Sequence, residues 1–238
     1  MGQPKGYHRA LLKISGEAFA GTRGFGLDRD AVSWIAEQIA QAHRAGHELG
    51  IVVGAGNILR GVDAQAVGVP ALVGDQMGMI ATALNAMALK AALQARNIPA
   101  GVMSAFAVGV FVDVFTREKA LAYVESGTVA IFAGGTGNPC FTTDSAAALR
   151  AVEIEADVMI KATQVRGVFD KDPKKHPDAV FFDSISSQEV LEKRLGVIDA
   201  TSVDILGRRG IPTIVLDLHV ENNIARALSG EKVGTVIV

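Results

Sequence analysis

Lys13, at the end of an apolar run and next to Ser15-Gly16, and Arg60, just beyond the turn Gly54-Ala55-Gly56, are the cations best set for chemistry. The stretch FAGGTGNPCFTTDSAAALR, 132–150, belongs with them, passing from a strand-like end through two glycines, an Asn-Pro break and paired threonines into an alanine-rich helix. Strand, glycine turn and polar helix start, in that order, gather unpaired N–H groups and the positive end of a helix dipole in one hollow, where anions bind. Phosphoryl transfer asks mainly for such positioning and positive charge, with little need for a protein nucleophile. Plainer readings stay open: a simple strand-to-helix turn, a surface Lys13, a solvated Arg60. Asp75, Asp144, Asp172 and Asp199 each fall at an expected element boundary, where helix capping is the default role of an aspartate.

Further glycine turns occur at Lys13-Ile14-Ser15-Gly16, at Gly54 to Gly61 and at Gly21 to Gly26, GTRGFG. Read as turns that follow strands, they converge on the edge where open α/β sheets bind ligands. The common nucleotide signatures are missing. No GxxxxGK[ST] occurs, Gly54-Ala55-Gly56 lacks a third glycine because position 59 is Leu, and no HRD, DFG or GxSxG appears. His43 and His47 have a metal-compatible spacing without an apparent third ligand, and read as a solvated helix end.

The elements that must position these residues are short apolar runs between helical segments. Strands are expected at 10–15, 48–54, 101–105, 128–134, 157–162 and 212–217, and helices near 29–45, 75–96, 116–126, 142–155, 187–194 and 221–229. Strands apolar on both faces, alternating with helices, argue a largely parallel sheet in an α/β sandwich. The 75–97 helix is apolar around most of its circumference, so it is either a core helix or one at a subunit interface. The charged stretch 169–183, with two prolines, reads as a solvated loop on composition alone.

At 238 residues and 49% hydrophobic content the chain can bury a full core, with no linker or repeat to divide it. Lys and Arg number 23 against 25 Asp and Glu, so a net charge of −2 gives no general attraction for nucleic acid or an anionic membrane. A single cysteine, Cys140, excludes an internal disulfide framework and fits a reducing cytoplasm. MGQPKGYHRALLK lacks an apolar signal core, and no apolar run is long enough for a membrane span.

Taken together, KISGEAF, GTRGFG, VVGAGNILRG, GDQMGMIATALNA, GGTGNPCFTTDSAAALRAVEIEAD, KATQVRGVFDKDP and GVIDA resemble the bacterial uridylate (UMP) kinases of the amino acid kinase fold, over almost the whole chain. The resemblance implies a three-layer α/β/α sandwich, 1–238, with an acceptor-binding lobe of about 1–155 and an ATP-binding lobe of about 156–238. It implies Mg²⁺- and ATP-dependent conversion of UMP to UDP by a cytoplasmic homohexamer, activated by GTP and inhibited by UTP, without a protein-bound metal site. Lys13, Ile14, Ser15 and Gly16 would hold the ATP phosphates, with Gly56 and Arg60 at the phosphates and Thr163, Phe169 and Asp172 at the adenosine. UMP would contact Ala55, Asp75 and the run Thr136, Gly137, Asn138, Pro139, Cys140, Phe141, Thr142 and Thr143. Catalysis would rest on Lys13, Arg60, Asp144 and Asp199, and GTP on Gly21, Thr22, Arg23, Gly24, Phe25 and Gly26.

Three departures stand out. Ala55 replaces a usual glycine, harmless if φ there is negative and costly if positive. Arg166 stands where an aspartate is common, and the residues after Asp199 are unusual. A sibling kinase with another acceptor, such as glutamate, aspartate or carbamate, would share the lysine and glycine turns but not GTGNPCFTTD. A nucleotide sensor that has lost transfer is the alternative from another class.

Overall fold

The computed structural model describes residues 6–173 and 175–238. Nine strands form one sheet: β1 (Arg9–Ile14), β2 (Glu48–Val53), β3 (Ala100–Ser104), β4 (Asp113–Val114), β5 (Val129–Ala133), β6 (Val158–Thr163), β7 (Ser184–Ile185), β8 (Thr213–Asp217) and β9 (Thr235–Ile237), in the order β4-β3-β5-β2-β1-β6-β8-β9-β7. All pairings are parallel except β8 with β9. The six expected strands are present. The short strands β4, β7 and β9 went unread, two or three residues being too few to show a period.

The helices are α1 (Glu17–Ala20), α2 (Arg29–Arg44), α3 (Gly61–Ala66), α4 (Ala71–Gln94), α5 (Arg117–Glu125), α6 (Thr143–Glu153), α7 (Ser187–Glu192), α8 (Ala200–Arg209) and α9 (Asn223–Leu228). Side-chain caps mark several starts: Asp28 accepts from Ala31 N–H, Thr116 from Lys119 N–H, Thr142 from Asp144 and Ser145 N–H, and Asp199 from Ser202 N–H. Ser186 and Glu189 close a reciprocal capping box on α7. α4 begins four residues earlier than expected because Pro70 stands at its N-cap, where a missing N–H costs nothing. α1, α3 and α8 were not anticipated. GTRGFG correspondingly follows a helix and not a strand: Gly21–Arg23 is a 3₁₀ turn directly after α1.

Alternation along β1 sorts the core. Ala10, Leu12 and Ile14 pack in one cluster with residues of α2, α4 and α9, while Leu11 packs in the other with residues of α5, α6 and α8. Each fully buried Leu or Ile contributes about 1.5–3 kcal/mol of burial. The same alternation places Lys13 on the α6 and α8 face. β1 also lies between β2 and β6, so the chain leaves its two flanks in opposite directions and a crevice opens at its C-terminal end.

Candidate active site

Lys13 and Lys161 are register partners on β1 and β6, so both ammonium groups stand on the same face. Asp144, in the first turn of α6, meets both: 2.8 Å to Lys13 Nζ, with a second, tight ion pair to Lys161 Nζ. Lys161 also donates to the carbonyl of Val197, just before α8. Burial raises the Asp144 carboxyl, but the charges of Lys13 and Lys161 more than offset this and hold it below the usual carboxylate range. Burial dominates for Lys161, whose ammonium falls below the usual lysine value despite Asp144. Two cations on one carboxylate leave the cluster one positive charge in excess.

Beside it lie two clefts. The first, about 350 Å³, is lined by Ser15, Gly16, Gly54, Ala55, Gly56, Asp75, Thr136, Asn138, Pro139, Phe141, Thr142 and Thr143, among others. The second, about 310 Å³, is lined by Lys13, Ser15, Glu17, Ala18, Lys161, Ala162, Thr163 and Gln164. Ser15 borders both. The β1–α1 turn and the turn after β2 touch through backbone alone: a Cβ on Gly16 would come within 2.4 Å of Gly56 N, and one on Gly54 within 2.8 Å of Gly16 N. Glycine is required at 16 for this approach, since its φ of −56° suits any residue. Ala55 has no positive φ, so the departure from glycine there carries no backbone strain.

The four aspartates divide by role. Asp199 caps α8 and also accepts from Thr142 and from Ser145 Oγ at 3.1 Å, joining the starts of α6 and α8. Asp144 caps nothing and serves the lysines. Asp75 lies inside α4, where its carboxylate accepts from Cys140 N–H at 2.9 Å and holds that residue at φ +70°. Asp172, in the loop after β6, is 3.7 Å from Lys175 Nζ. Capping therefore explains Asp199 and not Asp144 or Asp75.

Not every expected residue reaches the clefts. Ile14 is fully buried in the core, so only its backbone is available. Arg60 is exposed and paired with Glu17 at 2.6 Å, which brings it beside the second cleft. Phe169 stacks edge-on against Phe181, over whose ring Arg166 lies at 4.2 Å; neither Phe169 nor Asp172 lines the second cleft. Gly137 lines a neighbouring hollow with Pro139 and Phe106, and Cys140 is exposed. Gly21 and Thr22 border a separate hollow with Asp28, Trp34 and His219, and line neither of the two clefts. His43 and His47 are half-buried near the end of α2, their rings meeting the carbonyls of Gly127 at 2.6 Å and Tyr7 at 2.8 Å. Sequence reading missed Lys161, whose one signal is a lysine inside the otherwise apolar strand VMIKAT, and also the polar core groups Asn57, Thr82 and Asn85.

A parallel sheet with a lysine–aspartate–lysine cluster at its switch point, between two clefts joined by glycine turns, defines a phosphate-handling α/β protein. Residues 8–217 match the amino acid kinase family. The chain belongs to the amino acid kinase family, among its uridylate kinases: it is 46% identical over 231 residues to the uridylate kinase of Brucella anthropi, covering 97% of this chain and 96% of that one. It also superimposes on the crystal structure of UMP kinase from Bacillus anthracis with a TM-score of 0.95 at 30% identity, covering 98% of this chain and 96% of the other. For the UMP kinase from Ureaplasma parvum the TM-score is 0.90 at 33% identity, over 100% and 99%.

Proposed function

We propose that this chain transfers the terminal phosphoryl group of ATP to the phosphate of UMP, giving UDP and ADP, with UMP in the first cleft and the ATP phosphates in the second. The observation that carries this reading is the lysine–aspartate–lysine cluster beside Ser15, the residue that borders both clefts. An attacking UMP phosphate oxygen and a departing ADP oxygen would lie on opposite sides of that border, as in-line displacement requires.

UMP phosphate is ionised at neutral pH, so no protein base is needed. Lys13 supplies charge where the transferring oxygens gain it, and Lys161 keeps Asp144 from neutralising Lys13 outright. Arg60 turns from Glu17 to the phosphates as they enter. Asp199 holds the start of α6, and with it Thr142 and Thr143, against the acceptor. Thr136, Gly137, Asn138, Pro139, Cys140 and Phe141 embrace the nucleotide, with Asp75 at the ribose and Ala55 lending backbone. Thr163, Phe169 and Asp172 serve the adenosine, which arrives along the loop after β6.

No group of three His, Cys, Asp or Glu side chains able to hold a metal occurs among the described residues, and Asp144 and Asp199 are engaged by lysines and by α6. Mg²⁺ would enter on the ATP phosphates and would supply further positive charge there.

The acceptor lobe spans about 1–155 and the ATP lobe about 156–238. The protein works in the cytoplasm as a homohexamer, activated by GTP through Gly21 to Gly26 and inhibited by UTP. Support for assembly comes from the outer face of α4, where Leu72, Val73, Met77, Ile80, Leu84 and Met87 are exposed.

The test is ADP release with ATP, Mg²⁺ and UMP, CMP, dUMP, glutamate, aspartate or carbamate, each with and without GTP. Strong preference for UMP is expected. Saturable UMP binding without turnover on any acceptor would leave a nucleotide sensor on a kinase fold.

A further inference from the structure

The acceptor cleft is walled by two loops from different strands, 54–57 after β2 and 134–142 after β5, and each reaches the same face of α4. Thr82 and Asn85, three residues apart and therefore neighbours on one helix face, are 3% and 0% exposed. Thr82 Oγ1 accepts from Gly134 N–H at 2.7 Å and donates to Met79 O at 2.6 Å. Asn85 donates to Gly54 O and to Asn57 Oδ1, both at 2.7 Å. Asn57, itself fully buried, donates to Asn85 Oδ1 at 3.1 Å and to Gly26 O at 2.7 Å, while Gly26 N–H donates to Asn57 O at 2.7 Å. Gly134, Gly135 and Gly137 all have positive φ, so the second loop has little stiffness of its own and depends on such anchors.

We infer that Thr82, Asn85 and Asn57 are positioning residues for the acceptor: one face of α4 holds both loops at the spacing the acceptor needs and ties them to the Gly21–Gly26 segment. The inference rests on the reading of the first cleft as the UMP site. None of these bonds reaches the second cleft, and the 134–142 loop that Thr82 holds contributes no residue to it, so loss of the Thr82 bond should act on one substrate only.

The test is Thr82→Val, nearly isosteric and unable to accept from Gly134. Its KM for UMP should rise about tenfold, the order of one net hydrogen bond, with KM for ATP held within about twofold; Thr82→Ser should restore the wild-type KM. Asn57→Ala and Asn85→Ala should raise KM for UMP non-additively, as partners in one network do. An unchanged KM for UMP, or an equal rise for ATP, overturns the inference. If the wild type does not turn over UMP, the reading of the cleft fails instead. Hydrogen exchange then decides the clamp: segments 54–57 and 134–142 should exchange faster in Thr82→Val, and unchanged exchange overturns it.

Discussion

Lys13 and Lys161 share one carboxylate, yet their losses should differ. Lys13→Ala removes charge at the proposed point of transfer, and kcat should fall about 10²–10³-fold at saturating ATP and UMP; an equal rate would remove Lys13 from the chemistry. Lys161→Met leaves Asp144 paired with Lys13 but strips one of the two charges that hold its carboxyl low. A carboxyl held low in the fold stabilises above its unfolded value, and that contribution is lost as pH falls through the folded value. With Lys161 gone the folded value rises, so in denaturant titrations between about pH 2 and pH 6 the acid loss of stability should begin at higher pH. An unshifted acid limb would mean that Lys161 does not set Asp144. Lys13 was legible as a lysine beside a Ser-Gly turn; Lys161 was not, because its meaning lies in register with a strand about 150 residues away.

Turns and helix starts carry the next level of constraint. The β1–α1 turn packs on the β2 turn so closely that Gly16→Ala sets a Cβ against backbone, with no flexible side chain to yield. Such overpacking costs about 1–3 kcal/mol. Because Gly16 and its neighbour Ser15 border the clefts, KM for both UMP and ATP should rise in a protein that still shows native circular dichroism. Unchanged kinetics would show that the two turns can separate freely. The glycine spacing was visible in the sequence, whereas the reason for glycine at 16 was not, since no local conformation demands it. The start of α4 was misplaced because its signal is Pro70 with no capping side chain, and α8 was missed although Asp199 caps it and its inner face buries Val203 and Leu206.

Across the molecule, α4 is two-sided in an unusual way. Its inner face carries Ala83, Ala86, Leu89 and Leu93 into the core, and its outer face leaves Ile80 56% and Leu84 54% exposed. The sequence left core and interface readings of this helix open; the fold puts its inner face in the core and leaves its outer apolar face uncovered. Ile80→Lys with Leu84→Glu should lower the mass measured by light scattering, since charges on an apolar interface cost more than on a wet surface. An unchanged mass would move the interface elsewhere.

By itself the sequence determined the α/β class, six strands, the glycine turns and the threonine-bearing loop before α6, because these depend on local period, glycine placement and contiguous motifs. Only the tertiary structure decided that Asp144 bridges two lysines, that Asp75 orders Cys140, that Gly21 and Thr22 border a hollow of their own, and that α4 anchors both loops of the first cleft. These are contacts between segments far apart in the chain, and side-chain pattern along one segment holds no record of which partner the sheet order will bring opposite it.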